Sequence, residues 1–159
     1  MPVNAKTVQG RRDVSFQSMD DIVADAEKLA ASSTTRTIGN WPIDKLIMHL
    51  SQTVDNSIDG FQSKAPLIIR LIMPFFKNKV INAKKLNPGI NLPKAIIPVA
   101  FPEAASLQDA LDDLRRAVAR TKTERMTARH PAFGQMTHED WNTLHLRHSE
   151  MHLSFALPK

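Results

Sequence analysis

Apolar residues recur at intervals of three and four over most of the chain, which is the spacing of amphipathic helices. Four helix starts carry capping chemistry: Ser18, the Asn40–Trp41 pair before Pro42, Ser106 and Thr137. Asp21 follows Ser18 by three residues, and Asp140 follows Thr137 by three, which is a capping-box-like pattern. No run alternates in the manner of a strand. We therefore predict one all-α domain over residues 1–159, folded as a four-helix bundle.

Residues 65–102 form an insertion between the second and third helices of the predicted bundle. The segment opens with the apolar and basic stretch PLIIRLIMPFFKNKVINAKK, which predicts an inserted helix that is broken or kinked near Pro74. We expect the rest to be extended through its prolines, Pro88, Pro93, Pro98 and Pro102. Because the insertion is too long and too apolar for an idle loop, we expect it to pack over one end or side of the bundle.

The net charge of +5 is concentrated in this insertion. Seven basic residues and no Asp or Glu lie between Gly60 and Pro102, whereas acidic residues slightly outnumber basic ones elsewhere. The chain has no Tyr, and basic residues are not interleaved with aromatic ones, so we do not expect nucleic-acid binding. No apolar run approaches the length of a membrane span, and the first residues lack the apolar core of a signal peptide. We expect a cytoplasmic protein.

The chain contains no cysteine. This excludes a disulfide framework and thiolate ligands, so a bound metal would have to rely on His, Asp or Glu. Thiol chemistry would need a thiol supplied from outside the protein.

Three histidines lie on the apolar face of the last predicted helix. On a helical wheel, His145, His148 and His152 share one sector of about 120° with Trp141. His148 and His152 are one turn apart and can converge on one ion, and His145 and His148 could do the same. Since His145 and His152 are about 10 Å apart along the axis, one of them should lie outside the ligand set.

A third ligand should come from another helix, and His49 is the only histidine in the second one. It lies at the edge of that helix's apolar stripe, on a shoulder shared with Asn56. If the helices alternate up and down, the second and last run parallel, and His49 and His148 lie at similar depth. Three neutral imidazoles with open positions are typical of a catalytic metal site. The alternative is a histidine-lined polar pocket without metal.

Four further residues are candidates for supporting positions around such a site. Asn56 or His145 could orient the ligands from behind. His130, in the loop HPAFG, could line the rim of a pocket. Trp141 is a neighbour on the wheel, although bundle packing is the usual role of such a residue.

The last helix also carries a second apolar stripe, made of Leu146, Leu153 and Leu157. Either the insertion or another subunit would have to cover it. A homodimer is therefore one expectation.

Two blocks of the chain, GNWPIDKLIMHLSQTVDNSIDGF and HPAFGQMTHEDWNTLHLRHSEMHLSF, resemble a bacterial family catalogued as domain of unknown function 1569. This family is grouped with the DinB/YfiT-like superfamily of proposed metalloenzymes, and the resemblance runs from about Arg11 to Leu157. It implies a four-helix bundle, often dimeric, whose divalent metal is held by one histidine of the second helix and an HxxxH pair of the last. By position these are His49, His148 and His152. Members with known activity are thiol-dependent transferases or isomerases that use low-molecular-weight thiols.

The leading hypothesis is a metal-dependent enzyme in which Zn²⁺ or Ni²⁺ activates a thiol or water. Its substrate would be a small molecule, and the basic insertion would attract an anionic one. The alternative is a non-catalytic binding module whose Leu67–Lys85 helix docks an anionic lipid, a membrane surface or an acidic partner, although we favour the simpler view of this helix as a lid. A third interpretation is a metal that only stabilises the fold.

Overall fold

The computed structural model describes residues 3–62, 64–90, 94 and 97–158. Within them the chain is mostly helical, and the all-α prediction is confirmed. The helices are α1 (Met19–Ala31), α2 (Ile43–Asp59), α3 (Leu67–Ile81), α4 (Ile97–Ala100), α5 (Leu107–Arg120) and α6 (His138–Leu153). Two strands of two residues each, β1 (Arg36–Thr37) and β2 (Ala156–Leu157), pair antiparallel. No helix in the described ranges is long and apolar enough to cross a membrane.

The predicted capping residues begin three of these helices. Ser18 and Thr137 close full capping boxes at α1 and α6, and the Ser106 hydroxyl accepts a hydrogen bond from the first turn of α5. The prediction for α2 is wrong, because Pro42 itself occupies the N-cap and makes no side-chain cap bond. The Asn40 side chain instead bonds both backbone groups of Val3 and ties down the N-terminal segment.

Helices α1 and α2 each pack mainly against α5 and α6. Ion pairs fix the direction of α5: Arg116 binds Asp55, and one turn later Arg120 binds Asp59. Both helices therefore run the same way. The alternating up-and-down order is wrong, because the long insertion returns the chain to the start of α2 before α5 begins.

Helices α2 and α6 run antiparallel. Phe61, just after the end of α2, stacks on Trp141 in the first turn of α6, with ring centroids 5.7 Å apart. His49 lies instead near the start of α2 and meets His148 and His152 near the end of α6. The two helices thus bring these histidines to the same depth. They do so by running antiparallel, whereas a parallel arrangement was expected.

The second apolar stripe of α6 belongs to the interior of the protein. Leu146 and Leu153 are buried in the main core among α1, α2 and α5, and Leu157 lies half-buried in β2. The expectation that the insertion or a second subunit covers this stripe is wrong. Trp141 and Leu144 face a smaller second core. A homodimer remains a prediction with no support from this stripe.

The insertion packs only in part. Helix α3 runs unbroken through Pro74, and Pro98 lies inside the short helix α4 rather than in an extended stretch. Pro93 lies outside the described residues. The C-terminal half of α3 rests on the second core through Ile81, and Lys77 binds Asp140 of α6 at 3.0 Å. These contacts hold the part of the helix that follows Pro74, whose missing N–H leaves one hydrogen bond of the helix unmade.

Candidate metal centre

His49, His148 and His152 come together between α2 and α6. The Nε2 atom of His148 lies 3.3 Å from that of His49 and 3.0 Å from that of His152. One ligand atom from each ring lies within 4.8 Å of the other two. The spacing of one helical turn aligns the two rings on α6, and the crossing of α2 supplies the third.

The terminus of the insertion orients His49 from behind. The Nδ1 atom of His49 donates to the carbonyl oxygen of Ala100. Since a carbonyl only accepts, the proton sits on Nδ1 and the Nε2 lone pair is left facing the other two rings. A hydrogen bond of this kind to the outer nitrogen is the usual support of a metal-binding histidine.

An aromatic wall stands beside this histidine. Phe101, which is buried, stacks on His49 with ring centroids 4.1 Å apart and on Trp41 at 4.4 Å. The ring of Phe101 also meets the edge of His152 at 5.8 Å. Phe101 thus holds two of the three histidines in place and keeps water from one side of the cluster. Sequence reasoning missed both Ala100 and Phe101.

Burial keeps the three imidazoles neutral. It lowers the pKa of His49 to about 4, against a smaller upward effect of the bond to Ala100. Burial also holds the pKa of His148 well below its ordinary value, with smaller contributions from the neighbouring His152 and His49. The pKa of His152 falls for the same reason, and His49 and Arg11 lower it further. Neutral rings offer lone pairs, which is the state that binds metal.

The donor set suits a transition metal. Three imidazole nitrogens with no carboxylate in the group match Zn²⁺, Ni²⁺, Cu²⁺ or Fe²⁺ rather than Mg²⁺ or Ca²⁺, which prefer oxygen. Each of the three residues is half-buried, so the cluster is not sealed from small molecules. Once their Nε2 atoms are deprotonated, the three rings can direct their lone pairs at one point, so the geometry fits an ion.

Comparison with known families adds one match. A family model described as "Protein of unknown function (DUF1569)" matches residues 8–159. The chain belongs to the DUF1569 family. No curated protein and no solved structure matches it. This match does not show membership of the DinB-like superfamily, which stays a prediction.

His145 of this DUF1569 chain lies outside the cluster. Its ring is buried and stacks on Trp141 with centroids 5.3 Å apart, and its Nε2 atom has no hydrogen-bond partner among the described residues. Burial lowers its pKa to about 3, with a smaller effect from His130. Of the two pairs that the wheel allowed, the structure brings together the Nε2 atoms of His148 and His152.

The remaining predicted neighbours of the site have local roles. Trp141 is fully buried, and its indole N–H donates to the Ala128 carbonyl at 3.1 Å. The Nδ1 atom of His130 accepts from the backbone N–H groups of Ala132 and Phe133, and burial lowers its pKa to about 4. Asn56 is two turns along α2 from His49, about 10 Å, and does not adjoin the cluster.

A cavity of about 320 Å³ opens beside the last turn of α6. Four basic residues line it, and two acidic ones pair with them: Lys85 binds Asp13, and Arg147 binds Glu150. None of the three clustered histidines is among its lining residues. Arg11 donates to the carbonyl of Met151, which precedes His152, and to Ser154 Oγ two residues after it. No carboxylate among the described residues pairs with Arg11. Sequence reasoning missed Arg11, because nothing in its local context distinguishes it from other surface arginines.

Proposed function

We propose that this protein is a metal-dependent enzyme of the DinB-like superfamily, in which His49, His148 and His152 hold a divalent transition metal, Zn²⁺ or Ni²⁺. The observation that carries the proposal is the convergence of one ligand nitrogen from each of the three rings within 4.8 Å, together with the bond that points His49 inward. A set of three protein ligands leaves coordination positions open, as catalytic rather than structural sites do.

When bound, such an ion would supply a Lewis acid that lowers the pKa of a thiol or water at neutral pH. The protein's own residues do the remaining work. Ala100 fixes the tautomer and direction of His49, and Phe101 excludes water behind it. The half-buried cluster leaves an approach for a small molecule.

The substrate would be small and anionic. Arg11 lies close enough to lower the pKa of His152 and has no carboxylate partner among the described residues. It lines the cavity at the end of α6 and could bind a carboxylate there, since Lys85 and Arg147 of the same cavity already pair with Asp13 and Glu150. Because the chain has no cysteine, a thiol-transfer or isomerisation reaction would use an external low-molecular-weight thiol, and a hydrolysis would use water.

Cobalt substitution tests the proposal and separates its two branches. The protein is stripped with a chelator, loaded with Co²⁺, and its visible absorption is recorded before and after addition of glutathione. A Co²⁺ spectrum that changes with glutathione supports the thiol branch, and thiol-transfer reactions would then be assayed. A Co²⁺ spectrum indifferent to glutathione supports water as the activated group, to be assayed on ester and amide substrates.

Two variants control this experiment. His148→Ala should abolish the Co²⁺ spectrum, whereas His145→Phe, on the same helix but outside the cluster, should retain it. A parent protein that binds no Co²⁺ overturns the proposal. If the parent binds Co²⁺ but catalyses neither class of reaction, and chelation changes only its melting temperature, the metal is structural instead.

A further inference from the structure

The exposed apolar surface of this protein is concentrated on α3. Among the residues that the structure describes, ten large apolar side chains are exposed, and seven of them lie on this helix. The most exposed are Leu67, Ile68, Leu71 and Phe75, at 67%, 65%, 63% and 87%, followed by Ile72 at 48%. Monomeric proteins rarely leave a contiguous patch of this kind in water, and such patches mark binding surfaces.

These five residues form one face of the helix. Their spacing places them within a sector of about 140° on a wheel, over about 12 Å of helix. The opposite face holds Met73, Val80 and Ile81, which pack against the second core. The helix is therefore anchored to the protein by one side and presents an unpartnered apolar side to the surroundings. A lid would bury that side, so the simpler view of α3 as a lid is not supported.

Cations flank this face and no acidic residue accompanies them. Arg70 lies on the flank of the stripe, Lys64 precedes it, and Lys79 and Lys84 follow it; all four are exposed. None of the four has an ion-pair partner within the described ranges, and there is no Asp or Glu anywhere between Gly60 and Pro102. An apolar stripe bordered by unopposed cations is complementary to an anionic surface that has an apolar interior.

We propose that α3 is a membrane-docking helix, which lies in the plane of an anionic lipid bilayer with the Leu67–Phe75 face in the interface and the flanking cations at the headgroups. Cations lie at both ends of this face and along one flank, and this pattern favours lipid over a protein partner, because charged residues are depleted in the core of a protein interface. At 15 residues α3 is too short to span a bilayer. It contacts the start of α6, about 18 Å along that helix from His152, so docking leaves the histidine cluster free.

Vesicle flotation of the purified full chain tests this proposal. Vesicles of phosphatidylglycerol and phosphatidylcholine in equal parts should carry the protein, and those of phosphatidylcholine alone should carry much less. Replacing both Leu71 and Phe75 by Ser should weaken the partition about tenfold or more. Replacing both Arg70 and Lys79 by Gln should weaken it about 25-fold, from about fivefold per charge, and added salt should act in the same direction.

Asn78→Ser is the matched control, since Asn78 is an exposed polar residue of the same helix. It should float like the parent, and unchanged helicity in all variants shows that the fold persists. Binding that is indifferent to both double substitutions, or absent from anionic vesicles, overturns the proposal. Absence of vesicle binding together with a parent dimer that the Leu71 and Phe75 substitutions convert to monomer would assign the face to a second copy of the chain.

Discussion

The buried imidazole of His145 makes the stability of this protein depend on pH in a way that one substitution should remove. The side chain is 1% exposed, its Nε2 atom has no partner among the described residues, and burial lowers its pKa from 6.5 to about 3. The unfolded chain therefore binds a proton below about pH 6.5 that the folded protein does not accept until about pH 3. The free energy of unfolding must fall as the pH falls through this window.

The size of the effect follows from the same pKa. Each pH unit below 6.5 costs the folded state about 1.4 kcal/mol until the folded pKa is reached. Between about pH 8 and about pH 5 the contribution of His145 is a loss of about 2 kcal/mol. His145→Phe keeps an aromatic ring against Trp141 and has no titrating group. Between the two pH values its free energy of unfolding should therefore fall by about 2 kcal/mol less than that of the parent. At about pH 8 the two proteins should agree within about 1.5 kcal/mol.

Urea unfolding of chelator-treated protein at the two pH values measures both quantities. Removing metal from both samples keeps the linkage of metal binding to pH out of the comparison. The other histidines contribute nearly alike to both, because burial outweighs the small effect of His145 on the pKa of His148. Parallel stability curves for the parent and His145→Phe would refute the reasoning. They would mean that the His145 ring titrates in the folded protein as it does in the unfolded chain, and hence that it is not held neutral by burial.

Three further outcomes are expected. Phe101→Ala should destabilise the protein by about 3–5 kcal/mol in thermal unfolding, since a buried ring stacked between Trp41 and His49 is lost. It should also weaken Zn²⁺ binding although no ligand is removed. An unchanged zinc affinity would contradict the supporting role of Phe101. Thr137→Ala should cost about 1 kcal/mol by loss of the α6 cap, measured by urea unfolding, and a neutral result would contradict the capping box. Zn²⁺ at about 100 times its dissociation constant should raise the free energy of unfolding of the parent by about 2.7 kcal/mol and leave that of His148→Ala unchanged. Equal stabilisation of both proteins would mean that the ion binds elsewhere.

The helix starts were predictable because capping is local. Ser18, Ser106 and Thr137 each bond a backbone N–H within three residues, so the signal lies in adjacent sequence. The direction of α5 was not predictable. It depends on where the insertion delivers the chain, and that path is set by long-range contacts such as the ion pair between Asp59 and Arg120.

The same distinction holds for the candidate site. The pairing of His148 with His152 follows from one helical turn, and His49 could be chosen because it is the only histidine in its helix. The bond from His49 to Ala100 could not be foreseen, because any residue offers a backbone carbonyl. His145 shares the wheel sector of the other two, yet stacks on Trp141 instead of joining them, and no periodicity separates those outcomes.

The central claim is that His49, His148 and His152 hold one metal ion, and elemental analysis of the untagged protein tests it most directly. The parent and His145→Phe should each carry about one equivalent of a transition metal, after reconstitution with Zn²⁺ or Ni²⁺ where purification has removed it. His49→Ala and His148→Ala should carry almost none. A folded parent that retains no metal after reconstitution, or His49→Ala and His148→Ala variants that retain a full equivalent, would contradict the account.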